Sequence, residues 1–126
     1  MASTLASSHI SGFAPTADSK KARQFYEGTL GLTFEHEDEY VIVFRTDHAM
    51  IVMHKLKELQ PAHYTVMGWE VADIKKTVSG LTDSGVVFEK YKWMQQDDLG
   101  IWKTPADGSV AWFKDPDGNI LSVSQK

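Results

Sequence analysis

The chain has 126 residues, 42% hydrophobic and 24% charged, which suits one compact domain able to bury roughly two thirds of its unfolded surface. It has no cysteine, which excludes disulfides, thiolate metal sites and thiol nucleophiles and fits a cytoplasmic protein. With 13 basic against 17 acidic side chains the net charge is −4 and neither sign forms a long run, so nucleic acid is not an expected partner.

The opening MASTLASSH is small and polar and lacks the basic start and apolar stretch of a signal peptide, so residues 1–8 are expected to form a flexible tail. No segment approaches the ~18 apolar residues of a membrane-spanning helix, and no membrane partner is expected. HISGFAP reads as a strand. It leads into TADSKKA at residues 16–22, which recurs as VADIKKT at residues 71–77 after HYTVMGWEV. Each copy reads as strand, cap and helix, because the carboxylates of Asp18 and Asp73 can accept hydrogen bonds from free amides of a first helical turn. Ala22, Phe25, Tyr26 and Thr29 keep the spacing of one buried face, as do Ile74, Val78 and Leu81. Gly31 and Gly85 can take the left-handed conformation that ends a helix.

LTFEHE, YVIVFRT and AMIVMHK follow as three short strands, and LKELQPAH as a linker, giving module one over 9–55, a linker over 56–62 and module two over 63–126. The second module offers VVFEKY, SVAWF and ILSVS as strands. Asp115-Pro116-Asp117-Gly118 makes a tight turn between the last two. A loop over residues 90–108 carries Trp93, Met94 and Trp102. These side chains either form a lid over a ligand or pack against the sheet or a second subunit, the commoner use of such groups.

Three stretches, ADSKKARQFYEGTLGL, VADIKKTVSGLTDSGVVF and WFKDPDGNIL, together make the chain from about residue 9 onward resemble the vicinal oxygen chelate superfamily of glyoxalase I, extradiol dioxygenases and bleomycin-resistance proteins. The resemblance implies an α+β fold. Its two βαβββ modules would form a curved, partly open mixed β-sheet barrel with helices outside and a ligand within, commonly in a homodimer. It also implies about four metal ligands, usually histidines and glutamates, at positions occupied here by Ser11, Val66, Ser122 and either Met53 or His54. An aliphatic group and two hydroxyls are poor donors for a divalent ion, so no metal or other cofactor is expected. His9 and Glu70 share the faces of Ser11 and Val66 but are displaced by roughly 7 and 13 Å at ~3.3 Å per residue, leaving a displaced site as the alternative. His36, His48 and His63 are expected at the surface.

On strand parity Ser11, Phe13, Val66, Gly68, Ile120 and Ser122 share the inner face, with Gly68 leaving room for a ligand or for Phe13. Trp69 belongs to the opposite, core side, as does Trp112 if Ala111 and Phe113 point inward. The expected function is metal-independent binding of a small apolar or aromatic molecule, as in bleomycin-resistance proteins, with Met53, His54, Trp93 and Trp102 completing the ligand contacts. The alternative is a glyoxalase- or dioxygenase-like lyase, isomerase or ring-cleaving oxygenase. It would use a displaced metal site, or acid–base chemistry from His54 and a buried Glu70 of raised pKa.

Overall fold

A computed structural model describes residues 4–126. Of the expected tail, residues 1–3 lie outside the described residues, and Leu5–Ser7 form a single 3-10 turn. The chain divides into two compact units, Met1–Leu59 and Gln60–Lys126, and the division falls inside the stretch read as a linker.

The first unit contains β1 (Ile10–Thr16), α1 (Ser19–Arg23), β2 (Thr33–Glu37), β3 (Val41–Arg45) and β4 (Ala49–Lys55). Its open sheet has the order β1-β4-β3-β2. β1 and β4 are parallel and the other pairs antiparallel. Asp18 caps α1, its carboxylate accepting from the Lys21 N–H at 3.1 Å. The helix then widens into a π-helical stretch, Gln24–Thr29, closed by Leu30 N–H donating to the Phe25 carbonyl at 2.8 Å. Gly31, at φ +78°, ends it.

Alternation along the strands sends Ala14, Ile42, Phe44, Ile51 and Met53 to the helix side, where all are buried. Tyr26, also buried, stacks on Phe44 with ring centroids 5.3 Å apart. Burying each large apolar side chain of this layer contributes about 1.5–3 kcal/mol. A β-bulge at Glu35 breaks the β2–β3 register between Phe34 and His36.

The second unit repeats the plan with β5 (Thr65–Glu70), α2 (Ile74–Asp83), β6 (Trp102–Lys103), β7 (Ser109–Lys114) and β8 (Ile120–Gln125). The order is β5-β8-β7-β6, again with the first and last strands parallel. Asp73 accepts from the Lys76 N–H at 3.1 Å, the same cap as in the first unit. The Ile74 N–H donates to Gln125 Oε1 at 2.8 Å, tying the helix start to β8. Ile74, Val78, Ala111, Phe113, Leu121 and Val123 are buried on the face where α2 contacts β7 and β8. Phe113 also meets Phe88 at 5.3 Å and Trp69 at 6.4 Å, so Trp69 does belong to the core side.

The β7–β8 turn is held by one carboxylate. Asp115 Oδ1 accepts from the backbone N–H groups of Asp117 and Asn119, each at 2.9 Å, and Oδ2 from Asn119 Nδ2 at 2.9 Å.

VVFEKY does not form the expected strand. Phe88 bridges Phe113 and the Glu89 N–H donates to the Trp112 carbonyl at 2.7 Å. Residues 90–101 then leave the edge of β7, and the chain returns to the same edge as β6. Trp102 is therefore a strand residue, not part of a loop running over 90–108.

Candidate functional site

Each sheet has one face covered by its own helix and one free of it, and most of the candidate residues lie on the helix-free faces. In the first unit, parallel pairing sets Ser11 beside Met50, Phe13 beside Val52 and Pro15 beside His54. Phe13, 59% exposed, stacks with the His54 ring at 5.8 Å and 29°. Met53 is wholly buried on the helix side. The choice left open between Met53 and His54 thus falls to His54, and Met53 is a core residue, not a ligand contact.

His9 lines a cleft of about 300 Å³ with Arg45, Thr46, Asp47 and His48 at the end of this sheet. His36, His48 and His63 are exposed. His36 lies 2.7 Å from Asp38. That contact, with the backbone N–H groups of Tyr40 and Val41, holds the Asp38 carboxyl down at about 2.

In the second unit Gly68 pairs with Ser122 and Trp112 pairs with Ser122 from the other side. Trp112 is therefore on the helix-free face. The expectation of a core Trp112 fails because Ala111 and Phe113 face α2. A β-bulge between Thr65 and Met67 aligns Thr65 with Ile120 and takes Val66 out of the expected line, since parity counting breaks wherever an extra residue enters a strand. The Thr65 hydroxyl accepts from Trp112 Nε1–H at 3.1 Å. Nor does Gly68 leave space. A Cβ there would overlap Ser122 Oγ and lie 3.1 Å from the Ser122 carbonyl oxygen, so the serine hydroxyl fills the gap itself.

Four aromatic rings line up along this face. Trp102 and Trp112 lie 6.1 Å apart, Tyr91 meets Trp112 edge-on at 5.9 Å and 71°, and Tyr91 meets Trp93 at 4.8 Å. Trp93, at the outer end, is 78% exposed. Burial pushes the Tyr91 phenol pKa up, and the Glu89 carboxylate adds to the rise. Tyr91 and Trp112 were missed as site residues. The signal for Trp112 lay in the turn: pairing outward from Asp115 and Asn119 sets Trp112 opposite Ser122.

Glu70 is exposed and 3.7 Å from Lys126 Nζ, at a cleft of about 460 Å³ that it lines with Thr104, Val110 and Ser124. The buried carboxylate required for acid–base chemistry is thus absent at Glu70, because β5 is an edge strand and Glu70 is its last residue.

Few of the positions that the resemblance implies as metal ligands carry a donor suited to a divalent ion. At the four positions implied by the resemblance, one imidazole stands among two hydroxyls and an aliphatic side chain, and hard or borderline ions need charged oxygen or imidazole ligands in number. Among the described residues no three His, Asp or Glu side chains gather closely enough to hold an ion.

The sequence profile of the Glyoxalase/Bleomycin resistance protein/Dioxygenase superfamily matches residues 7–123. Among solved structures, the chain is similar to a bleomycin resistance determinant encoded on the transposon Tn5, with 18% identity over 94% of this chain and 98% of that one and a TM-score of 0.75. It is similar to TnmS3, an antibiotic binding protein from Streptomyces sp. CB03234, with 22% identity over 94% and 95% and a TM-score of 0.71. A third likeness is to lactoylglutathione lyase from Agrobacterium tumefaciens, with 13% identity over 94% and 93% and a TM-score of 0.72. No curated protein matches the chain in sequence. The structural likenesses carry the fold, with its paired modules of open four-stranded mixed sheets, and the profile match carries membership. The chain belongs to the Glyoxalase/Bleomycin resistance protein/Dioxygenase superfamily.

Proposed function

We propose that this protein binds a small apolar or aromatic molecule without a metal ion. The observation that carries the reading is the row Trp102, Trp112, Tyr91 and Trp93 on the helix-free face of the second unit, beside the hydroxyls of Ser122 and Thr65. Flat rings present area at little cost in side-chain entropy, and aromatic pairs contribute about 0.5–1.5 kcal/mol beyond their burial. Hydroxyls orient a neutral ligand but do not hold an ion. Ile120, next to Thr65, extends the apolar surface. In the first unit Ser11, Phe13 and His54 offer a second apolar surface with polar tips. Two similar folds belong to a bleomycin resistance determinant and an antibiotic binding protein, which supports a drug-like ligand class. The enzymatic alternative has less support, because Glu70 is exposed beside Lys126.

Three of the four tryptophans, Trp93, Trp102 and Trp112, stand in this row, and the fourth, Trp69, lies on the opposite face of the same sheet, so tryptophan fluorescence reports chiefly on this face. Titration with planar antibiotics, quinones and the acridine proflavine is expected to give a saturable change with at least one compound. A flat response to the whole panel would sink the reading.

Homodimer formation belongs to the same proposal. Exposed Ile10 on edge strand β1 supplies apolar surface for it. Light scattering should give twice the chain mass, and the mass of one chain would remove this part. No membrane partner is proposed: among the described residues no helix is long and apolar enough to cross a membrane.

A further inference from the structure

The aromatic row has two halves of different origin. Trp102 and Trp112 stand on β6 and β7, where ladder hydrogen bonds fix the backbone. Tyr91 and Trp93 stand on residues 90–101, which leave the sheet edge, and ordering such a segment costs on the order of 1–2 kcal/mol per residue in backbone entropy. Something must fix Tyr91 for the row to exist.

One side chain spans the neck of this loop. Gln96 Oε1 accepts from the Tyr91 N–H at 2.8 Å, and Nε2 donates to the carbonyls of Glu89 at 2.9 Å and Gly100 at 2.8 Å. Both donors and one acceptor site of the amide are used, as a part-buried amide requires. The Asp97 carboxylate works more locally, accepting from Leu99 and Ile101 within its own turn. The neck is also tight: a Cβ on Gly100 would lie 3.1 Å from Phe88 Cβ, at a φ of +93° that favours glycine. The Gln96 amide therefore joins the outgoing strand segment, the backbone of Tyr91 and the returning segment before β6.

We infer that Gln96 is a positioning residue for ligand binding: it locks Tyr91, and with it Trp93, onto the strand-borne pair Trp102 and Trp112. The inference rests on the proposed binding function for its ligand arm, but its structural arm stands alone. Gln96→Glu keeps an acceptor for Tyr91 N–H yet offers no N–H to the Glu89 and Gly100 carbonyls, so it should unlock the loop as Gln96→Ala does.

The test uses the full chain and two readouts. Without ligand, NMR contacts between the Tyr91 and Trp112 rings should vanish in Gln96→Ala and Gln96→Glu while contacts between Trp102 and Trp112 persist. Retention of both sets, or loss of both, overturns the inference, the second outcome meaning that Gln96 only supports the sheet edge as a whole. With ligand, affinity for proflavine, or for the panel compound of largest response, should fall about tenfold in Gln96→Ala, as expected for losing anchoring hydrogen bonds. In a background with both Tyr91→Ala and Trp93→Ala, which removes the rings that Gln96 holds in place, the same substitution should cost nothing further. An equal loss in both backgrounds overturns the inference. If no compound binds the wild type, the proposed function fails while the ring contacts still decide the role of Gln96. Should Gln96→Ala fail to fold, Gln96→Met keeps the side-chain length without the amide and takes its place.

Discussion

The edge strands of the two units begin alike and then part. Phe34 pairs with Phe44 in the first unit and Phe88 with Phe113 in the second, each phenylalanine pair lying on the helix side. Immediately afterwards the first edge strand takes up one extra residue, as a bulge at Glu35, whereas the second loops out residues 90–101 before pairing resumes at Trp102. An irregularity at an edge costs few ladder bonds and leaves the core untouched. It is therefore where one repeat can gain an aromatic row that the other lacks. The caps, sheet order and phenylalanine pair are common to both units, while the helix-free faces differ: aliphatic with Phe13 and His54 in one, tryptophan-rich in the other.

If the scaffold is truly common, Phe44→Ala and Phe113→Ala should be the costliest changes and nearly equal, each about 3–5 kcal/mol by urea unfolding, since each empties the buried centre of its own sheet. A cost below about 1 kcal/mol for either would break the equivalence. Next in size is a change confined to the second unit. Gly68→Ala drives a methyl into Ser122 and should destabilise by about 1–3 kcal/mol, with Ser122→Ala returning only part because the carbonyl contact at 3.1 Å remains. Full recovery would mean that the hydroxyl alone closes the gap. Removing the matched caps by Asp18→Ala and Asp73→Ala should cost ~1 kcal/mol each. A clear inequality would show that the π-helical stretch after α1 has already weakened that helix.

The smallest effect belongs to the first unit and depends on pH. The Asp38 carboxyl is held at about 2 against an ordinary 3.8. A folded-state pKa below the unfolded one gives stability that is present above the unfolded value and lost as pH falls through the folded one. Asp38→Asn should thus lower thermal stability slightly at neutral pH and make no difference once pH is below about 2. A penalty that persists in acid would contradict this.

Much of the scaffold was legible because its signals are local. Asp18 and Asp73 stand before amphipathic stretches, Gly31 and Gly85 sit where helices must end, and the sequence from Asp115 to Asn119 makes its turn from its own side chains. Strand faces were legible only as far as pairing is regular. Val66 was misplaced by a bulge that no periodicity announces. VVFEKY keeps the alternation of a strand, with Val86 and Phe88 buried and Val87 exposed, yet its pairing ends after Glu89, where the Gln96 amide bonds the Glu89 carbonyl and the Tyr91 N–H. That contact joins side chain to backbone across a loop and leaves no pattern in residue type. Trp112 could have been placed by counting out from the turn, and Met53 told from His54 only by burial.

The direct test of binding without a metal is calorimetry of the panel compound with the strongest fluorescence response, first in excess EDTA and then with Zn, Ni, Mn or Fe(II) added. The donor chemistry at Ser11, His54, Val66 and Ser122 predicts the same dissociation constant in every case and no stoichiometric metal in the purified protein. Binding or turnover that appears only when an ion is supplied would contradict it.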